Sequence, residues 1–425
     1  MRGVRRFALG VVFLLAAAPL GWAATLPAVA PDQVGLSAER LARIGTALTA
    51  GIAQGQFPGA VAVVARKGRI AYFESVGLLD PTRGVPMPKE AIFRLTSMTK
   101  PFTSVAAMTL VEEGRLLLSD PVAKYLPAFA KLEVSMPQRD PTTGQVSYTT
   151  VPAERPMTIQ DLLRHTSGLV YAWSTSNAPV KERYIQGRIG AADLTPAEQI
   201  ERLAKVPLAH QPGTAFEYGM SADVLGRVIE AIAGEPLGTF FEQRLFAPLQ
   251  MTDAGFVVPP DKLGRLAQPF ATDPVTGRPI TLLDVTIPPK NDSGGIGGVA
   301  TAGDYVRFLQ MLLNGGQLDG VRLVSRTTVR HMTADHLGEV PRAGAVALRP
   351  PYGFGLGFAV RKETGIHASP GSVGEYFWAG AAGTAFWVDP KEELIGVLMT
   401  QGAPGAPRDA DRFRFKELVY QAITD

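Results

Sequence analysis

Apolar residues recur along this chain at two different periods, and the alternation of the two outlines the fold. After the capping pattern Ser37-Ala38-Glu39, apolar residues fall at Leu41, Ile44 and Leu48, the spacing of one helical face, and the pattern stops near Gly51. Gly59 to Arg66 is a continuous apolar run rich in valine, too short for a helix, and reads as a buried strand. Lys67-Gly68 is a tight turn and Arg69 to Val76 its hairpin partner. From Pro101 the period turns helical: Val105, Met108, Leu110, Val111 and Leu116 predict an amphipathic helix broken at Gly114.

Short helices are expected over Lys124–Leu126 and after Thr158, the latter stopped by Gly168. Thr195-Pro196-Ala197-Glu198 opens another with a capping threonine and a first-turn proline. Val224 to Ile232 and Gly238 to Leu249 continue the helical pattern. Residues 133–156 carry no period and hold Pro137, Pro141, Gly144, Pro152 and Pro156, so they read as a long loop. Strand signals return late. After a glycine-rich bend at Ser293–Gly298, Thr301 and Ser325 cap two helices. Phe354–Val360, Gly374–Trp378, Thr384–Val388 and Leu394–Met399 then read as an antiparallel set. A last helix, Asp409 to Ile423, turns Phe413, Leu418, Val419 and Ala422 inward. The order strands, helices, strands predicts an α+β fold. Its sheet is built from the N- and C-terminal segments (30–100 and 286–425), with a mostly helical part (101–285) inserted between them.

Composition narrows the function. The 425 residues are 46% hydrophobic, ample for a large core in one domain spanning 30–425. Arg2, Arg5 and Arg6, an uncharged run from Phe7 and small residues at Gly21-Trp22-Ala23-Ala24 follow the plan of a secretory signal peptide. Residues 1–23 are expected to be removed and the protein exported, periplasmic or secreted; an uncleaved membrane anchor is the alternative. Without that segment the chain holds 39 basic against 39 acidic residues. Nothing then favours nucleic acid or an anionic membrane as partner. The chain has no cysteine, which excludes disulfides, a thiolate metal site and a cysteine nucleophile.

Candidate chemistry centres on Phe93 to Ser104. Ser97 and Lys100 stand three apart at a helix start, on one helical face. A serine hydroxyl needs a base to become a nucleophile, and a lysine acts as one when burial or a nearby cation lowers its pKa. Pro101 clashes with the carbonyl four residues before it, that of Ser97, so the regular helix starts at Ser97 or just after. The Ser97 N–H then lies among the unpaired donors at the positive helix end, which suit an oxyanion. Tyr218, ahead of an apolar helix, is either a proton shuttle or a packing residue. Trp378-Ala379-Gly380-Ala381 is either a strand edge along which a substrate lies or a strand with a glycine bulge.

Other chemistries fail. Gly295-Ile-Gly297-Gly-Val-Ala300 fits a dinucleotide pattern but no hydrophobic strand precedes it. His331 and His336, five apart, do not share a helix face as a metal pair would. There is no G-x-S-x-G elbow, although His165, His210 and His367 are available to a serine.

Together these pieces resemble the serine β-lactamase and penicillin-binding superfamily, most closely its class C branch and the family VIII carboxylesterases. The resemblance runs from about Leu36 to the C-terminus. It rests on Ser97 to Lys100, Asp161-Leu-Leu-Arg-His-Thr-Ser-Gly-Leu169, Glu217-Tyr218 ahead of Asp223-Val-Leu-Gly226, Pro248-Leu-Gln-Met-Thr-Asp253, and Gly294-Gly295 through Asp304-Tyr305. It implies a β-lactamase-like fold with Ser97 as acyl-accepting nucleophile, Lys100 as its proton acceptor and Tyr218 as general base or acid. It also implies an oxyanion hole from the N–H groups of Ser97 and Ala381, and no metal or cofactor. Two positions depart from the lactamase pattern. Trp378 opens the third motif where lactamases keep lysine, and Met220 stands where the second motif keeps asparagine. Both changes make the substrate-binding residues (Met220, Trp378, Ala379, Gly380) more apolar. The resemblance therefore implies a carboxylesterase acting on a small uncharged ester. A weak β-lactamase, a D-amino-acid peptidase, an acyltransferase and a penicilloyl-binding envelope protein are the alternatives.

Overall fold

The computed structural model describes residues 25–274, 276–346, 348–403 and 409–425. The expected signal peptide lies outside them. One eight-stranded antiparallel sheet organises the chain. In spatial order its strands are Tyr352–Phe354, Ala359–Arg361, Tyr376–Ala379, Ala385–Asp389, Leu394–Thr400, Gly59–Arg66, Arg69–Asp80 and Val85–Pro86. Gly59–Arg66 therefore sits between its hairpin partner and the last strand of the chain, with Ala60 opposite Thr400 and Arg66 opposite Leu394. Early and late segments share one sheet, as the alternation of patterns predicts.

That central strand is buried along its whole length because both faces of the sheet are covered. Side chains alternate across a strand, and each set meets its own layer. Ala60, Ala62 and Val64 pack with Leu41, Ile44 and Leu48 of the helix Ala38–Ala53 and with Phe415 and Val419 of the helix Asp409–Tyr420. Val61, Val63 and Ala65 belong to the larger core with Phe102, Val105, Tyr305 and Phe308. These come from the helices Lys100–Glu112 and Ala302–Leu313.

Lys100–Glu112 differs from expectation. It is buried on every side from Lys100 to Leu110 rather than amphipathic. Phe102 explains this: its ring meets Phe246 at 5.2 Å, Tyr305 at 5.1 Å and Phe308 at 4.7 Å, so helices surround it. Sinking this helix draws its N-terminus, which bears Ser97 and Lys100, into the molecule.

Residues 133–156 are not a loop. Glu133–Arg139 and Val146–Pro152 form an antiparallel hairpin, with Met136 opposite Thr149. Asp140 Oδ1 accepts the N–H groups of Thr142 and Thr143, and Gly144 closes the turn at φ +70°. The ribbon lacks a periodic apolar face because it is largely exposed, and its two strands tolerate Pro137 and Pro152 as edge strands do. The expected strand Phe354–Val360 is two short strands folded back at Gly357 (φ +101°), pairing Phe354 with Ala359. His165 (φ +56°), not Gly168, is the first left-handed residue after the helix Ile159–Leu163. Phe413 is exposed; Phe415 takes the inward position. Gly238–Leu249 splits into the helix Leu237–Phe241 and a wider turn, Glu242–Phe246. No helix among the described residues is long and apolar enough to cross a membrane.

Candidate active site

The segment that carries Ser97 is held before it turns. Ile92–Arg94 pairs antiparallel with Val299–Thr301, and the Leu95 N–H donates to Gly298 O at 2.9 Å. Thr96 then adopts φ +47°, a left-handed conformation that strains a β-branched residue. Thr96–Thr99 is a 3₁₀ turn and the α-helix begins at Lys100, which places Pro101 in its first turn as expected. Thr99 Oγ1 fixes this turn, donating to Thr96 O at 2.7 Å and accepting the Gly298 N–H at 2.9 Å. Ser97 is partly exposed at the turn and Lys100 is buried.

The structure brings Lys100 to Ser97. Lys100 Nζ lies 3.4 Å from Ser97 Oγ, donates to Gly295 O at 2.8 Å and to the Tyr171 hydroxyl at 3.1 Å. It also lies over the Tyr218 ring, 4.7 Å from its centroid. Gly295 belongs to the glycine-rich bend, whose job here is to present a carbonyl to the lysine. A side chain at Gly295 would place its Cβ 2.3 Å from Asp223 Oδ2, so any larger residue would displace the Asp223 carboxylate. Thr103 Oγ1 holds the adjacent Gly294 carbonyl at 2.7 Å.

Tyr218 follows the short strand Phe216–Glu217 and precedes the helix Ser221–Ala233. Rings surround it: the buried His165 at 4.8 Å and Trp378 at 5.2 Å, and the half-buried Tyr171 at 5.6 Å. The Trp378 indole N–H donates to the Tyr218 hydroxyl at 3.4 Å, so this tryptophan spends its polar atom on the tyrosine. Burial, and after it the Lys100 charge, hold His165 well below 6.5; its imidazole is neutral and its Nδ1 accepts the Gly219 N–H. Burial and then the Asp223 charge raise Tyr171 well above 10, so it stays a phenol.

The third motif approaches from the sheet. Gly380 follows the strand Tyr376–Ala379, and a Cβ on it would lie 2.2 Å from Leu95 O. Thr384 Oγ1 donates to the same Leu95 carbonyl at 3.1 Å, and Gly380 N–H donates to Thr384 O at 2.8 Å. The strand end is thereby tied to the residue just before the Thr96–Thr99 turn. Ala379 is half-buried and Ala381 is exposed at the turn beyond. Met220 is buried beside Tyr218, with its sulfur 3.8 Å from Gln199 Nε2, so it packs on Gln199.

The remaining histidines lie elsewhere. His210 pairs with Glu217 at 2.6 Å, and His367 with Ser369 at 2.9 Å. His331 and His336 meet ring to ring at 4.6 Å, but no group of three or more metal-ligating side chains occurs among the described residues. Sequence reasoning missed Tyr171 and the Gly295 carbonyl, and it named His165 only as a possible partner of a serine, not as a support of Tyr218. Tyr171 lies two residues beyond the Asp161–Leu169 stretch that holds His165, so proximity to that motif was the available signal.

A buried lysine beside a serine at a helix start, under a tyrosine and against an antiparallel sheet edge, defines a serine hydrolase of the β-lactamase type. The chain belongs to the β-lactamase family, whose model matches residues 44–421. It is similar to Protein Rv1367c of Mycobacterium tuberculosis, 36% identical over 369 residues that cover 84% of this chain and 88% of that one. It is also similar to Esterase EstB of Burkholderia gladioli, 31% identical over 402 residues, 89% of this chain and 95% of that one. Among solved structures, EstCE1, "a hydrolase with promiscuous acyltransferase activity", superposes with a TM-score of 0.74 at 27% identity, over 90% of this chain and 99% of that one.

Proposed function

We propose that this protein is a carboxylesterase that works through an acyl-enzyme on Ser97. The observation that carries the reading is the position of Lys100 Nζ, 3.4 Å from Ser97 Oγ and over the Tyr218 ring. Lys100 and Tyr218 take the Ser97 proton as its oxygen attacks the ester carbonyl. The N–H groups of Ser97 and Ala381 receive the oxyanion, an arrangement that stabilises charge where it develops. Collapse expels the alcohol, which regains the proton, and water, deprotonated by the same pair, releases the acid. Trp378 and Met220 support an uncharged ester, since neither offers the cation or amide that a β-lactam would use. Transfer of the acyl group to an alcohol needs the same residues, and the similarity to EstCE1 supports it as a side activity.

The test is turnover of p-nitrophenyl esters beside nitrocefin, with Ser97→Ala as control. Ester hydrolysis lost in Ser97→Ala supports the mechanism; hydrolysis that survives overturns it. Nitrocefin turned over much faster than the esters would make the protein a lactamase. A single burst without turnover would make it an acyl-binding protein. We further propose export with cleavage after Ala23, to be read from the N-terminal sequence of the mature protein.

A further inference from the structure

Trp173 has the largest exposure, 63%, of any large apolar side chain recorded as exposed among the described residues. It is not a loose surface residue. Its indole stacks on the Tyr171 ring at 5.5 Å with 13° between the planes. Tyr171 in turn contacts Lys100 Nζ at 3.1 Å, and Lys100 contacts Ser97. The indole is therefore stacked on a ring of the site while most of the side chain stays exposed.

The loop that carries it is braced. Tyr171 O accepts the N–H groups of Ser174 at 3.0 Å and Thr175 at 3.2 Å, and Ala345 N–H donates to Ser174 O at 2.9 Å. The hairpin Glu133–Arg139/Val146–Pro152 supports the far end: Asn177 Nδ2 donates to Ser135 O at 2.9 Å and its Oδ1 accepts from Ser135 Oγ at 3.0 Å. An exposed aromatic surface fixed in advance gains contact area without paying to order itself, which is how rigid aromatic anchors raise affinity.

We propose that Trp173 is the stacking platform for a flat aromatic group of the ester substrate, and that aryl esters are the preferred substrate class. The inference rests on the esterase reading of Ser97. A flat ring laid on the exposed indole extends the Tyr171–Trp173 stack, and aromatic pairs favour such offset stacking beyond simple area burial. An alkyl ester of the same acid forms the same acyl-enzyme but leaves the platform empty.

The experiment compares 1-naphthyl acetate with ethyl acetate in the wild type, Trp173→Ala and Trp173→Phe. The naphthyl-to-ethyl ratio of kcat/KM should fall about tenfold in Trp173→Ala, mainly through KM, and be largely kept in Trp173→Phe. An unchanged ratio overturns the proposal. A separate arm does not depend on turnover: calorimetric binding of 1-naphthyl acetate to Ser97→Ala and to Ser97→Ala/Trp173→Ala. About tenfold weaker binding in the double variant supports the platform even if ester hydrolysis through Ser97 fails. Equal affinity, or no binding in either, overturns it.

Discussion

The Nδ1 atom of His165 accepts the Gly219 N–H at 3.4 Å while the His165 carbonyl accepts the Glu217 N–H at 3.0 Å. One residue thus holds the backbone on both sides of Tyr218, and its ring packs on the tyrosine between them. Replacing His165 with leucine removes the side-chain acceptor and leaves a buried N–H unpaired, which costs about 1–3 kcal/mol. It also frees Tyr218 to shift. The expected result is a kcat for nitrophenyl esters about 10-fold or more lower with KM little changed, because a small misplacement of a reacting group costs rate rather than binding. His165→Gln, which keeps an acceptor, should recover part of the loss in the same assay. A fall in KM affinity with kcat intact would show that His165 serves the substrate instead.

The same histidine sets an acid limit on stability. Its folded-state pKa lies well below 6.5, so below about pH 6.5 the unfolded chain takes up a proton that the folded chain refuses. Its contribution is present above that pH and is lost as pH falls, at up to ~1.4 kcal/mol per pH unit. Between pH 7.5 and 5.5 the urea midpoint of His165→Gln should gain on that of the wild type, because the variant lacks this loss.

Gly380→Ala tests the contact between the third motif and the Ser97 turn. The new Cβ would lie 2.2 Å from both Leu95 O and Thr384 Oγ1, and 2.5 Å from Thr96 Oγ1. A backbone carbonyl cannot turn aside as a long side chain can, so the strand end must move away from Leu95. Overpacking of this kind costs about 1–3 kcal/mol. Thermal melting should show that loss, and kcat should fall further than stability explains, because Ala381, the proposed oxyanion donor, moves with the strand.

The parts of this molecule legible in its sequence are those set by local spacing. Gly59–Arg66 declares itself by an unbroken apolar run, and the structure explains it by two covered faces. The spacing of Ser97 and Lys100 anticipates a contact that one helical turn makes on its own. The hairpin over 133–152 was illegible because its exposed strands carry no apolar period, although Asp140-Pro-Thr-Thr-Gly144 is a turn signal. The burial of Lys100–Glu112 depends on Phe241, Phe246 and Phe308, far along the chain, and no local pattern encodes such partners. Tyr171 and Gly295 reach Lys100 from 71 and 195 residues away, and only the folded chain brings them there.

Asp161 should be the stability centre of the segment that leads to His165. It is fully buried and accepts from Arg155 at 2.6 and 2.9 Å, from Arg164 at 3.1 Å, from Thr166 Oγ1 at 2.8 Å and from the Thr158 N–H at 3.0 Å. Burial alone would raise its pKa, but Arg155 and the Thr158 and Thr166 donors outweigh it and hold the group below 3.8. Asp161→Ala breaks this set and the capping box of Ile159–Leu163 together. Breaking a buried ion pair costs about 3–5 kcal/mol. Arg155 is 40% exposed and can turn to water, so the lower end, about 3 kcal/mol, is expected from urea titration at pH 7. At pH values well below 3.8 the difference from wild type should shrink, since the carboxylate is then lost in both states.

Asp304 should act in the opposite sense. It stands in the first turn of Ala302–Leu313, where the helix dipole favours a negative charge by about 0.3–1 kcal/mol. It is also fully buried, its Oδ1 has no hydrogen-bond partner among the described residues, and its Oδ2 accepts the Asp253 N–H at 3.1 Å. Burial, then the Asp253 charge, push its pKa up to about 7 from 3.8. Such a shift corresponds to about 4 kcal/mol, so burial outweighs the dipole. Between about pH 4 and 7 the folded chain keeps a proton that the unfolded chain gives up, and stability therefore falls as pH rises through that window. The same helix touches the site: Tyr305 donates its hydroxyl to Met98 O at 2.9 Å, one residue after Ser97. Asp304→Asn, which cannot ionise, lacks this loss, so its urea midpoint should gain on that of the wild type as pH rises from 5 to 8. An Asn variant whose midpoint follows the wild-type slope over this range would show that Asp304 ionises without cost.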